Sequence, residues 1–350
     1  MKILIAPLNW GLGHATRCAA LVRQYMNEGH EVVVGGDGAG LTWLKRYFPT
    51  LRYVELAPLE LTYGKGKSQV CAMLRALPKL IRWSWEDAAR LNQILSLEPF
   101  DLIISDNRFG LYTPRVRCVY MTHQLWIRLP RFWRWLEPLT ARLHARIYNK
   151  FNEVWVPDYE RLTVDNAQCT VDGLSGILGH PQFVQRNPEL RAKVRYIGPL
   201  SRFTDFNCSS SKLAIHLLPE CPVAPDSPIH RFTDSPYHIV ALLSGLEPQR
   251  TLLEQQIMSD YADRAEQVLI VRGLVQEPFT TLQRGSITLV PWLGDAELVS
   301  ALQGADKIIC RSGYSTIMDL EKLGLLAKAE FIPTPGQPEQ EYLAEYFKQF

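Results

Sequence analysis

The 350-residue chain has only seven cysteines, an odd number with no C-x-x-C pair. That spacing suggests neither a zinc site nor a disulfide framework, and it fits a reducing compartment. Net charge is also small: +2 at neutral pH gives no electrostatic reason to expect a nucleic-acid partner. Long apolar runs are missing. The opening MKILIAPLNWGLGH loses its apolar character after a handful of residues, too short for a signal-peptide core, and no later stretch approaches the roughly 20 apolar residues of a membrane span. There is no repeat at solenoid period. No D-x-D carboxylate pair stands at a strand end, where a metal-binding transferase would need one. These absences lead us to expect a cytoplasmic protein that uses neither metal nor cofactor. What remains, 47% hydrophobic and 21% charged residues, is enough for two cores of about 150 residues each.

Apolar strands are predicted at Lys2 to Ala6, Glu31 to Val34, Asp101 to Ser105, Cys118 to Thr122, Glu153 to Pro157 and Val194 to Ile197. A turn at Gly11 to Gly13 and a helix from Thr16 to Asn27 make the first of these a βαβ unit, so residues 1–200 read as a doubly wound α/β domain. Between Ser201 and Pro236 the texture changes to a Ser, Pro and Cys mixture without periodicity, as in a linker or inserted loop. Strand signals resume at His238 to Leu243, Gln267 to Arg272, Ile287 to Val290, Lys307 to Cys310 and Ala329 to Ile332, with helices centred on Leu253, Leu298, Met318 and Tyr342. Residues 237–350 therefore read as a second α/β domain. Two such sheets place a cleft between the C-terminal ends of their strands.

Four loops carry chemistry. In NWGLGHATR, Gly11 and Gly13 permit a tight turn, the following helix offers free N–H groups to an anion, and His14 is a natural general base. The competing interpretations are a surface histidine and a dinucleotide fingerprint, with Asp37 as the ribose-binding acid and Thr16 in place of the third glycine. In ALLSGLEPQR, Ser244 and Gly245 offer donors and Arg250 a fork suited to phosphate. A plain turn is the alternative. In IICRSGYSTIMDLEKLG, the turn Arg311–Ser312–Gly313 opens a helix whose N–H groups can hold a diphosphate, and Asp319, one turn on, is placed to accept ribose hydroxyls unless it is merely a solvated helix acid. In IPTPGQPEQEYLAEYF, Gln337, Glu339 and Gln340 can pair with sugar hydroxyls or simply cap a helix.

This order of motifs resembles the GT-B glycosyltransferases, and specifically glycosyltransferase family 28, over nearly the whole chain. RSGYSTIMDLEKLG matches the family's R-S-G-x-x-T-x-x-E-x-x-x-x-G pattern and GQPEQEYLA its Gln-rich loop. The resemblance implies that Ser312, Gly313, Ser315 and Thr316 lie at the diphosphate of a UDP-sugar donor. Asp319, in place of the usual glutamate, would bind the ribose, and Glu339 and Gln340 the sugar. Trp292 and Leu293 would lie at the base. Ser244 and Gly245 match the family's glycine-rich donor loop, with LEPQR replacing its second glycine. Gly11, Gly13 and His14 match the loop facing the acceptor, and Asp106 and His123 stand at neighbouring strand ends, where either would orient His14 or replace it as base. Family chains run on through a final helix that crosses back to the first domain. This chain stops at Phe350, so impaired closure or a longer parent protein is the expectation.

The implied reaction is direct displacement at the anomeric carbon with inversion, His14 taking the acceptor proton. Segment Trp126 to Lys150 interleaves Arg128, Arg131, Arg134, Arg142 and Arg146 with Trp126, Phe132, Trp133 and Trp135. It reads either as an interfacial stretch that brings the enzyme to a lipid-linked acceptor at the inner membrane face, or as a packed helix with snorkelling arginines. Three other functions compete: a nucleotide-sugar epimerase of the same fold, an inactive nucleotide-sugar-binding protein, and a dehydrogenase.

Overall fold

The computed structural model describes residues 1–59, 70–160, 162–164, 169–204, 236–245 and 247–349. The first domain runs β1 (Lys2–Pro7), α1 (Gly13–Asn27), β2 (Glu31–Gly36), α2 (Gly38–Tyr47), β3 (Arg52–Glu55), α3 (Val70–Leu97), β4 (Leu102–Asp106), β5 (Arg117–Met121), α4 (Glu137–Tyr148), β6 (Glu153–Val156), the hairpin β7 (Leu162–Val164) and β8 (Cys169–Val171), α5 (Gln182–Gln185), α6 (Pro188–Lys193) and β9 (Val194–Tyr196). The second runs β10 (Ile239–Leu242), α7 (Gln249–Asp260), β11 (Val268–Val271), β12 (Leu282–Arg284), β13 (Ile287–Val290), α8 (Asp295–Gly304), β14 (Lys307–Cys310), α9 (Tyr314–Lys322), β15 (Ala329–Phe331) and α10 (Pro338–Tyr346). Most of the expected linker, residues 205–235, lies outside the described residues.

Both sheets have one plan. The first is wholly parallel in the order β3-β2-β1-β4-β5-β6-β9; the second is β12-β13-β11-β10-β14-β15, parallel except for the edge strand β12. In each, the chain winds outward from a central strand and then restarts on its other side, which opens a crevice at the strand C-termini between β1 and β4 and between β10 and β14. This is why the central strands read as continuous apolar runs: both faces are covered. Ile3 and Ile5 pack beneath α1 and α2, whereas Leu4 and Ala6 face the layer holding Leu91 of α3 and Tyr148 of α4.

The domains touch directly. Tyr314, Ile317, Met318 and Leu343 of the second domain join the core beneath α1. Tyr314 Oη donates to Pro157 O at 3.0 Å, Tyr159 Oη to Glu321 Oε1 at 2.8 Å, and Tyr346 Oη to Gly173 O at 2.9 Å. The helix α10 thus packs on the first domain. At the centre of the contact Ser315 Oγ donates to Gly13 O at 2.9 Å, and a Cβ built on Gly13 would fall 2.7 Å from that Oγ. Gly13→Ala is therefore expected to destabilise the protein by about 1–3 kcal/mol through overpacking, with Ser315→Ala restoring most of the loss. Denaturant unfolding checks this. An alanine variant as stable as the parent would show that the two helix starts do not meet.

Candidate functional site

The helix α1 starts at Gly13, three residues ahead of the sequence expectation, after Gly11 turns the chain at φ +74°. His14 therefore sits inside its first turn, and Arg17 lies three residues on, above the same face. Across the crevice β4 ends at Asp106, paired in register with Pro7 of β1. Asn107 then adopts φ 58°, a left-handed conformation that asparagine tolerates, fixed by its N–H to Met121 O at 3.2 Å and by Tyr120 Oη donating to its Oδ1 at 3.0 Å. Asp106 is thereby held against α1.

Asp106 is fully buried and fully used. His14 Nδ1 lies 2.9 Å from its Oδ2, Arg17 Nε donates to the same oxygen at 2.9 Å, and Arg17 Nη2 grips Oδ1. Burial alone would raise its pKa, but the charges of Arg17 and His14 hold it well below the usual carboxylate range. A carboxylate only accepts, so Nδ1 of His14 carries the proton and Nε2 presents a lone pair. Arg17 Nη2 also approaches Nδ1, at 2.8 Å, but its bond to the charged carboxylate takes precedence. Burial, reinforced by the Arg17 charge and opposed by Asp106, keeps the His14 pKa below its ordinary value, so the ring is neutral at physiological pH. Asp106 thus holds the His14 ring in place through Nδ1.

Arg17, absent from the sequence expectations, also belongs to this site. Its Nη1 lies 3.0 Å from Nδ1 of His123, just past β5. His123 stacks on Tyr314 at 4.2 Å between centroids, the planes 2° apart, and its Nε2 reaches Glu339 Oε1 of the second domain at 2.7 Å. His14, Asp106, Arg17, His123 and Glu339 form one connected cluster.

The second domain supplies the opposite wall. Arg311, Ser312 and Gly313 follow β14, and Gly313 begins α9 with no side-chain cap on its N–H groups. Ser312 Oγ donates to Gln340 O at 2.7 Å, and the Gln340 side chain accepts from Thr334 N at 2.9 Å, so the two loops brace each other. Gln337 stands at the start of α10, likewise uncapped by its side chain. Thr316 lies in the first turn of α9, and Ser244 and Gly245, the latter at φ +98° with open space at its Cβ position, follow β10. Trp292 donates its indole N–H to Glu277 O at 3.0 Å and lies under the Arg46 guanidinium at 5.1 Å, while Leu293 is buried in the core.

Three expected donor ligands are otherwise engaged. The Arg250 guanidinium is buried and pairs with Glu247 and Glu254, the latter at 3.3 Å, so its fork is not offered to a phosphate. Arg311 donates to Pro333 O at 2.9 Å and Gln249 O at 2.8 Å, which clamps loops, while its buried Nε has no hydrogen-bond partner among the described residues. Asp319 is buried and accepts from Ser201 Oγ at 2.6 Å, with Arg202 Nε 3.6 Å away. Desolvation, with the opposing Arg202 and Ser201 contributions, pushes its pKa up to about 6. Asp319 therefore ties α9 to the segment joining the domains; it is neither a ribose ligand in this arrangement nor a solvated helix acid.

Asp37 also has a partner. Arg108, wholly buried, donates to Asp37 Oδ1 at 2.7 Å and to both oxygens of Asp87 at 2.9 and 2.8 Å, while Asn9 Nδ2 reaches Asp37 Oδ2 at 3.1 Å. A carboxylate so neutralised is not available to a ribose, which removes the basis for the dinucleotide interpretation.

The paired 3-2-1-4-5 sheets facing one another define the two-domain, Rossmann-like GT-B fold. No family model matches the chain. An uncharacterized glycosyltransferase of Methanosarcina acetivorans is 22% identical, the alignment spanning 97% of this chain and 82% of the relative. Among solved structures, Phytolacca americana UGT2 complexed with UDP-2-fluoroglucose and pterostilbene aligns with TM-score 0.56 at 12% identity, over 99% of this chain and 83% of that one. The calicheamicin glycosyltransferase CalG4 aligns with TM-score 0.54 at 13% identity, over 99% and 83%. Among the described residues no helix is long and apolar enough to cross a membrane, and no group of three His, Cys, Asp or Glu is placed to hold a metal ion.

Proposed function

We propose that the protein is an inverting glycosyltransferase that moves a sugar from a UDP-sugar, such as UDP-N-acetylglucosamine, to an acceptor hydroxyl without a metal ion. The observation that carries this reading is the His14–Asp106 pair, 2.9 Å apart at the crevice of the first sheet and facing the uncapped start of α9. The acceptor O–H gives its proton to His14 Nε2 and its oxygen attacks the anomeric carbon. The bond from that carbon to the phosphate oxygen breaks, and the electron pair leaves with UDP. The imidazolium formed is stabilised by Asp106, and the departing diphosphate by the N–H groups and dipole at the start of α9. A donor seated between the loops displaces the Ser315–Gly13 hydrogen bond. The Trp292 loop is assigned to the base, and Glu339 and Gln340 to the sugar. The names of the similar glycosyltransferases support the class of reaction.

The acceptor side favours a lipid. Phe132 and Trp135 are 88% and 73% exposed, Leu139 and Leu143 continue the same face of α4, and Arg131, Arg134, Arg142 and Arg146 are exposed around them. On α3, Leu77, Ile81 and Trp85 add a second outward apolar stripe. Helices of a parallel α/β domain run counter to its strands, so these N-terminal halves flank the crevice end of the sheet. Apolar side chains ringed by arginines are how an interfacial segment meets anionic headgroups. Peripheral membrane association and a lipid-linked acceptor follow.

Product analysis tests the reaction. With UDP-N-acetylglucosamine, chelator and a lipid-extract acceptor, UDP should appear together with a β-linked sugar. An epimerised sugar nucleotide formed without acceptor would mean the fold serves an epimerase instead.

A further inference from the structure

Arginine has donors and no acceptor, so an imidazole nitrogen that faces an arginine N–H with no acceptor beside it must be a lone pair. At His123 this fixes the proton. Nδ1 accepts from Arg17 Nη1 at 3.0 Å, so the ring is neutral with its hydrogen on Nε2, which donates to Glu339 Oε1 at 2.7 Å. Arg17 is itself immobile: its Nε and Nη2 edge is locked on Asp106, the carboxylate that orients His14. The parallel stack on Tyr314 at 4.2 Å removes the remaining freedom of the His123 ring. An unbroken chain therefore runs from the acceptor-side base through Asp106, Arg17 and His123 to a carboxylate of the second domain.

We propose that His123 is a positioning residue, a neutral bridge that fixes the Glu339 carboxylate toward the donor sugar and ties it to the Asp106–Arg17 pair behind the base. This rests on the assignment of Glu339 to the sugar of a UDP-linked donor. His123 touches no reacting atom and moves no proton; it accepts at one end and donates at the other. The separation of the two sites in the chain, 216 residues between His123 and Glu339, means that the link exists only when the domains meet. Burial would raise the Glu339 pKa, and the contact with His123, electrostatic first and hydrogen-bonded second, outweighs it with smaller help from His14 and Arg17, so the carboxylate is the form presented to sugar hydroxyls.

Two substitutions separate this role from others. Glutamine reproduces the neutral ring's pattern, its carbonyl oxygen accepting from Arg17 and its amide donating to Glu339, whereas phenylalanine keeps the stack on Tyr314 and has neither group. Calorimetric titration of the full chain with UDP and with UDP-N-acetylglucosamine, with thermal unfolding alongside, gives the readout. His123→Gln is expected to hold both affinities within about threefold. His123→Phe is expected to lose about tenfold in affinity for the UDP-sugar while leaving UDP unchanged, a difference that general damage to the fold would not produce. Equal loss in both variants would show that His123 acts through a proton of its own, and no loss in either would show that Glu339 needs no positioning; each result overturns the proposal. Failure of the unsubstituted protein to bind UDP or the UDP-sugar would instead defeat the donor assignment on which it rests.

Discussion

Replacing His14 by alanine is expected to cut turnover by about 10²–10⁴-fold while leaving UDP affinity within about twofold, because general-base contributions fall in that range and the ring makes no contact assigned to the nucleotide. The substitution should not unfold the site: Asp106 keeps Arg17 Nε at 2.9 Å and the second Arg17 bond. The pH profile supplies a second check. A base must be neutral, and burial holds the His14 pKa below the ordinary 6.5, so the acid limb of turnover should lie below that value. In Asp106→Asn the amide can no longer neutralise Arg17, whose charge then bears on His14 unopposed. The acid limb should shift lower still, with turnover reduced because one of the two oxygens that His14 Nδ1–H and Arg17 share becomes an amide nitrogen, which cannot accept. Unchanged turnover in His14→Ala would remove the base assignment.

Replacing Arg108 by methionine is expected to have the largest effect on stability, about 3–5 kcal/mol, since breaking a buried ion pair strands the partner charge, and here two carboxylates are stranded. Arg108 also donates to Ala57 O at 2.7 Å and covers the Trp83 ring at 5.0 Å, so lost packing adds to the electrostatic cost. The effect has a sign in pH. Burial, opposed by Arg108, already raises the Asp87 pKa. Without the guanidinium it rises further, and a carboxyl whose folded pKa exceeds its unfolded value stabilises the fold when protonated and loses that contribution as pH rises. The variant should therefore lie closer to the parent at pH 5 than at pH 8 in denaturant unfolding, and Asp37→Asn with Asp87→Asn should recover part of the loss. A deficit under about 1 kcal/mol at neutral pH would mean that the carboxylates are solvated and the network is not a structural pivot.

What the sequence made legible follows the locality of the signals. The apolar strands stood out because both sheet faces are covered, and the glycine loops because close backbone approach restricts the residue type. His14 and Glu339 lie in helix first turns just past such loops. Arg17 does not stand out although H-A-T-R places it one turn from His14, because an arginine in a helix is by default a solvated residue. The three-residue spacing was the available signal. Arg108 and Asp87 gave none: their pairing depends on the left-handed turn at Asn107 and on α3 passing over the end of β4. Arg250, Arg311 and Asp319 show the complementary ambiguity. A charged group beside a phosphate-type loop is equally well used to fasten that loop, and only the positions of Glu247, Pro333 and Ser201 decide which. The switch points were predictable in kind, but their coincidence across two sheets depends on strand order, which no local pattern encodes.

The central claim is that the second domain's loops hold a uridine diphosphosugar opposite His14, with no metal bridging the phosphates. Calorimetric titration of the purified protein with UDP, UDP-N-acetylglucosamine and NAD in excess chelator addresses it directly. The account predicts saturable binding of the two uridine ligands and none of NAD. Binding of NAD alone would contradict it, returning the first glycine loop and Asp37 to a dinucleotide role that the buried Arg108 pairing argues against.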